Sequence, residues 1–263
     1  MNLANDGYLF RESVDKFGER VHYLATRIWK GVRPFYYFEN SSQSKLTEID
    51  FSNSQPYFAS KAVTLVPVLV PEFLPILPLL ENLSNKEDFK KFDQLCTKGR
   101  IYDHWVTIRG YKPEQRNKAK SEFIKILYGK LDQKVDYAIK AYNAFEKEFP
   151  SVAEAFVKIK SLTERELPFI KEVYLDKDGS FIPKYHCNLS LLLQRCESRF
   201  IIKTVCDRLF KDGVQNFITI HDSFLTTEEN VQVIKNIIAS EFRKLSIEPP
   251  VLKDGMKDLF VKK

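Results

Sequence analysis

Glycine is scarce in this chain, with nine in 263 residues, roughly half the usual share. Folds that cradle phosphates or dinucleotides on glycine-rich turns are thereby disfavoured, and neither G-x-G-x-x-G nor G-x-x-x-x-G-K-[ST] occurs. Cysteine is sparse as well. Cys96, Cys187, Cys196 and Cys206 form no C-x-x-C pair, and the intervals from His186-Cys187 to Cys196 and Cys206 fit no zinc framework, so they read as reduced packing residues. Residues 1–10 lack the apolar run of a secretory signal. The one long apolar stretch, 63–80, is interrupted by Pro67, Pro71, Glu72, Pro75 and Pro78, so it reads as a buried or groove-lining segment and not a membrane span. Charge of one sign is only mildly in excess: 41 Lys and Arg against 35 Asp and Glu give +6, which permits a polyanionic partner without demanding one. A cytoplasmic, soluble chain with no membrane partner is expected.

Hydrophobic residues at 44% and charged residues at 29% suffice for an ordinary globular core. Residues 1–40 are basic and aromatic: Arg20, Arg27, Lys30 and Arg33 alternate with His22, Tyr23, Trp29, Phe35 and Tyr36. Residues 46–51 (LTEIDF) alternate as a strand should and end on an acid. Across 113–130 a helix is expected, with Pro113 in its first turn and Ala119, Phe123, Ile124, Ile126 and Leu127 on its apolar side. Residues 131–172 predict two or three further helices, with a break and cap at Pro150-Ser151, and Asp176 to Gly179 signals a turn between short strands. Residues 188–210 predict another helix, and 217–220 a second buried strand that ends at His221-Asp222. Thr226 and Glu229 have capping-box spacing before a last helix lined by Val231, Ile234, Ile238 and Phe242. Helix dominates, and the class is α+β.

Two strand ends each deliver an aspartate, Asp50 and Asp222. If the strands are neighbours, the carboxylates meet at one sheet edge, where their repulsion is about 4 kcal/mol at 4 Å and an effective dielectric of about 20. A divalent cation reverses that sign, and Mg²⁺ prefers one or two carboxylates completed by substrate phosphates and water. A pair of metals clamps both oxygens of an in-line phosphoryl displacement. The plainer alternative is that Asp50 caps a turn and His221-Asp222 merely ends a strand. Arg116, Lys120, Ile124 and Tyr128 recur every fourth residue along one side of the 113–130 helix, so cations and an aromatic can hold a triphosphate tail and cover its base. Lys120 can neutralise charge on a leaving phosphate and donate a proton to it. A solvated basic face, with Gly129 as a helix stop, is the alternative there.

In order, Asp50-Phe-Ser-Asn-Ser-Gln-Pro56, Arg116-x3-Lys120-x7-Tyr128-Gly129 and residues 217–224 (FITIHDSF) resemble motifs A, B and C of the superfamily that joins family A DNA polymerases with single-subunit, phage-type RNA polymerases. The His221-Asp222-Ser223-Phe224 segment is closer to the RNA polymerase form. Gly18 to His22 (GERVH) is similar to the Gly-Arg-Val segment ahead of motif A, and Gln194-Arg195 stands where both branches place a helix beside motif C.

The resemblance implies a right-hand polymerase: a palm with a small antiparallel sheet, largely helical fingers and no regular thumb. It divides the chain into 1–60 (palm, with motif A), 61–184 (fingers, with the motif B helix) and 185–263 (palm, with motif C). Asp50 and Asp222 become ligands of Mg²⁺, two ions being expected and Mn²⁺ able to substitute. Arg116, Lys120, Tyr128 and Gln55 become nucleotide contacts, with Lys120 also catalytic. Arg20, His221, Gln194 and Arg195 become nucleic-acid contacts. The implied reaction is attack of a 3′-hydroxyl on the α-phosphate of a nucleoside triphosphate, with template and primer as partners.

Departures from the pattern shape the expectation. Gln55 replaces both the glutamate of the DNA polymerases and the glycine of the RNA polymerases, so sugar choice stays open, with RNA synthesis slightly favoured. Forty-nine residues precede Asp50, so a thumb, an exonuclease and a promoter-binding domain are expected to be absent, and a partner protein is expected to supply grip. The alternatives are a catalytically reduced, nucleic-acid-binding remnant, or a subunit of a larger replication or defence complex.

Overall fold

The computed structural model describes residues 13–23, 26, 37, 38, 46–130 and 136–255. The basic and aromatic positions Arg27, Trp29, Lys30, Arg33, Phe35 and Tyr36 lie outside these. In chain order come β1 (Ser13–Val14), β2 (Val21–His22), β3 (Leu46–Phe51), α1 (Ser54–Ser60), α2 (Ala62–Leu69), a 3₁₀ segment (Pro71–Ile76) and α3 (Leu77–Ser84). Then follow α4 (Glu87–Thr97), α5 (Ile101–Ile108), α6 (Arg116–Tyr128), α7 (Asp136–Glu148), α8 (Pro150–Ser161), α9 (Ile170–Val173) and α10 (Asn188–Arg199). A π-helical segment (Phe200–Cys206), α11 (Asp207–Lys211), β4 (Phe217–Ile220), β5 (Ser223–Thr227), α12 (Val231–Lys244) and β6 (Leu252–Asp254) complete the described chain. Contacts divide it into two units: 1–52 with 198–263, and 53–197. These units part at 52/53 and 197/198, beside the expected divisions at 60/61 and 184/185. One reason is α1, whose seven residues are all buried and which belongs with the helices that follow it.

The first unit is built on a four-stranded antiparallel sheet in the order β4-β5-β3-β6. Pairing of Leu46 with Thr227 through Asp50 with Ser223 fixes the faces. Because side chains alternate, Ile49, Phe51 and Phe224 share one face, and Leu46, Glu48, Asp50, Ser223 and Leu225 share the other. Against the first face lies α12, with Ile234, Ile238 and Phe242 buried; the Phe242 ring stacks at 3.8 Å on Phe200 and meets Phe51 edge-on at 6.4 Å. On the other face Leu46, Ile220 and Leu225 pack with Tyr23, Phe38 and Ile218, and Glu48 and Asp50 stand across the strands from Leu225 and Ser223.

Two local expectations are corrected here. Residues 217–220 do form a strand, but Phe217 to Thr219 are only half-buried, because β4 is the sheet's edge. No capping box joins Thr226 to Glu229: Thr226 is still inside β5, where its hydroxyl donates to the Asn216 carbonyl at 2.8 Å. Thr227 instead donates to Glu229 at 3.0 Å, and a 3₁₀ turn (Glu228–Asn230) leads into α12.

The second unit is helical and holds an aromatic core. The Phe92 ring lies 5.5 to 6.5 Å from Phe145, Phe149 and Phe156, and Trp105 lies 5.5 Å from Phe123. Phe92 is fully buried, and Phe92→Ala is expected to cost about 3–5 kcal/mol through lost transfer energy and an unfilled cavity, read as a lower urea midpoint. The 63–80 stretch becomes α2, the 3₁₀ segment and α3, burying Leu65, Val66, Phe73, Ile76 and Leu80 while leaving Val68 and Leu74 exposed. Among the described residues no helix is long and apolar enough to cross a membrane. All four cysteines are free thiols, and burial pushes Cys206 up to about 12, which leaves it inert as a nucleophile.

Candidate active site

The turn between β4 and β5 contains only His221 and Asp222, since Ile220 pairs with Ser223. His221 takes φ 55°, and favoured two-residue hairpins require positive φ at that first position. The turn therefore presents Asp222 at the sheet end where β3 delivers Asp50. The Phe51 N–H donates to the Asp222 carbonyl at 3.3 Å, which makes Phe51 and Asp222 the hydrogen-bonded pair. Asp50 and Ser223 are then a non-hydrogen-bonded pair, with Cα atoms about 4.5 Å apart. The two aspartates are thus one residue out of direct register on adjacent strands, and both are half-buried. Across its other edge Asp50 faces Lys253 of β6.

A second acid stands beside Asp50. Glu48, two residues earlier on the same strand, is 8% exposed and accepts the Ser223 hydroxyl at 3.1 Å. Period-2 alternation places it on the face of Asp50, a signal legible in the sequence that the motif comparison passed over.

The β1–β2 hairpin belongs to this unit. Asp15 accepts the Gly18 and Arg20 amides at 2.6 and 3.0 Å, and its carboxylate lies 3.2 Å from His22 Nε2. The His22 ring meets His221 edge-on at 5.8 Å. Glu19 receives the Arg199 guanidinium through two bonds of 2.5 and 2.8 Å and also takes the Ser198 hydroxyl through its carbonyl. Arg20 is thereby carried on a hairpin tied to the end of α10, and is half-buried.

In the helical unit, α6 forms as its apolar spacing requires, burying Ala119, Phe123, Ile126 and Leu127. Arg116 and Lys120 both lie over the buried Tyr102 ring, at 5.6 and 5.9 Å, and Arg116 also bonds Asp103 at 2.5 Å. Tyr128 ends the helix half-buried. Gly129 is no left-handed stop: at φ −75° and ψ 163° its backbone is extended, a conformation open to any residue. Lys160 closes the end instead, donating to the Ile126 and Gly129 carbonyls at 2.6 and 2.9 Å.

Three expected contacts have other surroundings. Gln55 is 8% exposed; its amide N–H donates at 2.5 Å to Glu197, which also receives the Ser54 hydroxyl at 2.6 Å. Its Oε1 is buried as well. Arg195 is equally buried, donating to Glu72 at 2.7 Å and lying over the Phe169 ring at 5.2 Å. Gln194 beside it is half-buried.

No family model and no curated protein matches the chain. Among solved structures it is similar to the POL domain of Pol1 from M. smegmatis, determined in complex with DNA primer-template and dNTP. The TM-score is 0.53 and the identity 12%, over 93% of this chain and 47% of that one. The likeness is one of fold. The chain spans about half the length of that neighbour.

Among the described residues no group of three or more His, Cys, Asp or Glu side chains is arranged to hold a metal ion. Two hard carboxylates on adjacent strand ends nevertheless fit a Mg²⁺ that takes its remaining oxygens from phosphate and water.

Proposed function

We propose that the chain is a polymerase-type nucleotidyltransferase that adds nucleotides to a nucleic acid 3′ end, RNA synthesis being slightly favoured over DNA. The sheet unit acts as palm and the helical unit as fingers. What carries the reading is that the β4–β5 turn bearing Asp222 bonds β3 next to Asp50, in a chain whose fold is similar to a polymerase domain. Asp50 and Asp222 hold Mg²⁺, which when bound supplies charge neutralisation at the reacting phosphate. The exposed Lys120 meets the phosphate tail and donates a proton to the departing pyrophosphate. Arg116 trades its Asp103 partner for phosphate, and Tyr128 covers the base. His221, braced by His22, supports the primer end. Grip on a duplex comes from a partner protein.

Primer extension with labelled ribo- and deoxyribonucleotides, with and without Mg²⁺ or Mn²⁺, tests this. Metal-dependent incorporation with ribonucleotides ahead is expected; no incorporation of either sugar on any primer-template sinks the enzymatic reading.

A second reading, a non-catalytic nucleic-acid-binding subunit, is favoured by the internal pair that holds Gln55. It predicts binding of primer-template without any Mg²⁺-dependent stabilisation by nucleotide.

A further inference from the structure

A cavity of about 120 Å³ opens in the helical unit behind the end of α6. Its wall includes Glu122, Lys125 and Lys130 from α6 and the residues after it, Ile139 and Tyr142 from α7, and Lys160 from α8. Glu122 brings no spare charge, because Trp105, Arg109 and Tyr111 all donate to its carboxylate. Among the described residues, the other charged side chains of the wall are Lys125, Lys130 and Lys160.

Lys160 is the anomaly. It is 4% exposed, and among the described residues no carboxylate lies within ion-pair distance of it. Buried ammonium groups are rare unless paired, because desolvation costs several kcal/mol. Two of its three N–H bonds go to the carbonyls that end α6, where the helix dipole favours a cation. That compensation is incomplete: burial lowers the Lys160 pKa to about 8. The third N–H remains for the cavity.

We propose that this cavity is an anion site that takes a phosphate group, with Lys160 as its buried cation and Lys125 and Lys130 at its rim. The volume suffices, since an apolar cavity of roughly 150 Å³ admits benzene, which is larger than a tetrahedral phosphate. Tyr142 can donate its hydroxyl to the anion. The site lies outside the Asp50–Asp222 pair and does not depend on polymerase activity. An occupant draws on the same lysine that holds the end of α6, so binding there reaches Tyr128.

The pH dependence has a definite sign. Lys160 is charged below about pH 8, so the anion binds best there. Affinity falls about tenfold per pH unit above 8 until the raised pKa of the bound state is reached. The other titratable groups on or near the wall are Glu122, Lys125, Lys130, Tyr142 and, toward Lys160, the half-buried Cys187. Sulfate is the probe for this profile because, unlike phosphate, it does not itself titrate in the range.

Titration of the whole chain with orthophosphate, pyrophosphate, sulfate and a nucleoside triphosphate, at constant ionic strength against chloride, tests the site. Readouts are thermal shift and the NMR resonance of the Lys160 Cε protons. Expected are saturable binding, a rise in the Lys160 pKa on adding anion, and at least tenfold weaker binding in K125A/K130A, whose exposed positions leave the fold intact. Lys160→Met should abolish binding. Preference for pyrophosphate or triphosphate over orthophosphate would identify the phosphate source as a nucleotide or its product. No saturable binding beyond the chloride control overturns the proposal, as does binding indifferent to K125A/K130A.

Discussion

Asp50→Asn and Asp222→Asn are each expected to lower metal-dependent nucleotide incorporation on the order of 10³-fold, while leaving the fold in place. Asn preserves the volume and the strand pairing of Asp50 with Ser223, so the sheet registers unchanged. What disappears is the charge that binds a divalent cation. Losing one preorganised electrostatic partner of a developing charge typically costs 10²–10³ in rate, and loss of metal affinity adds to it. Single-turnover primer extension over a Mg²⁺ range reads the effect, with circular dichroism melts as the control. The Mg²⁺-dependent rise in melting temperature expected with nucleotide in the native chain should vanish in both variants. Unchanged incorporation in both would end the assignment of these carboxylates. Loss in only one would place the chemistry at that strand end alone.

A stability effect as large as that of Phe92→Ala is expected at Glu122. It is 1% exposed and accepts the Trp105 indole at 2.9 Å, Arg109 at 3.0 and 3.2 Å and the Tyr111 hydroxyl at 3.1 Å. Burial alone would lower the Arg109 pKa; the Glu122 carboxylate more than reverses this, so the guanidinium stays charged throughout the accessible range. Glu122→Ala strands that charge and leaves the indole and phenol donors unpaired. A cost of about 3–5 kcal/mol follows, because the uncompensated partner and not the lost bond dominates. Urea unfolding and hydrogen exchange of the α6 amides measure it. Removing Arg109 as well, in E122A/R109M, should restore part of the loss, which a double-mutant cycle resolves. A cost under about 1 kcal/mol for Glu122→Ala would mean that water replaces the carboxylate readily.

Local pattern carried much of this protein. Alternation over 46–51 and the every-fourth-residue apolar spacing of α6 each dictate one element, because a strand or helix that buries one side must repeat with its own period. The ordered short motifs identified a polymerase-like fold, with which the solved neighbour agrees. Glu48 was within reach of the same alternation, two residues from Asp50. Gln55 and Arg195 were not. Their partners, Glu197 and Glu72, are more than a hundred residues away, and no spacing rule links a side chain to so distant an acceptor.

By itself, then, the sequence determined where β3, β4, α6 and α12 form and which residue types stand at their ends, since those follow from period and polarity along a few residues. Only the tertiary structure decided that the ends of β3 and the β4–β5 turn share one sheet edge, that Gln55 faces inward to a buried acid, and that Lys160 finishes α6. Each of these depends on which remote group displaces water from a given polar atom, and that is set by how the elements pack, not by what any one of them contains.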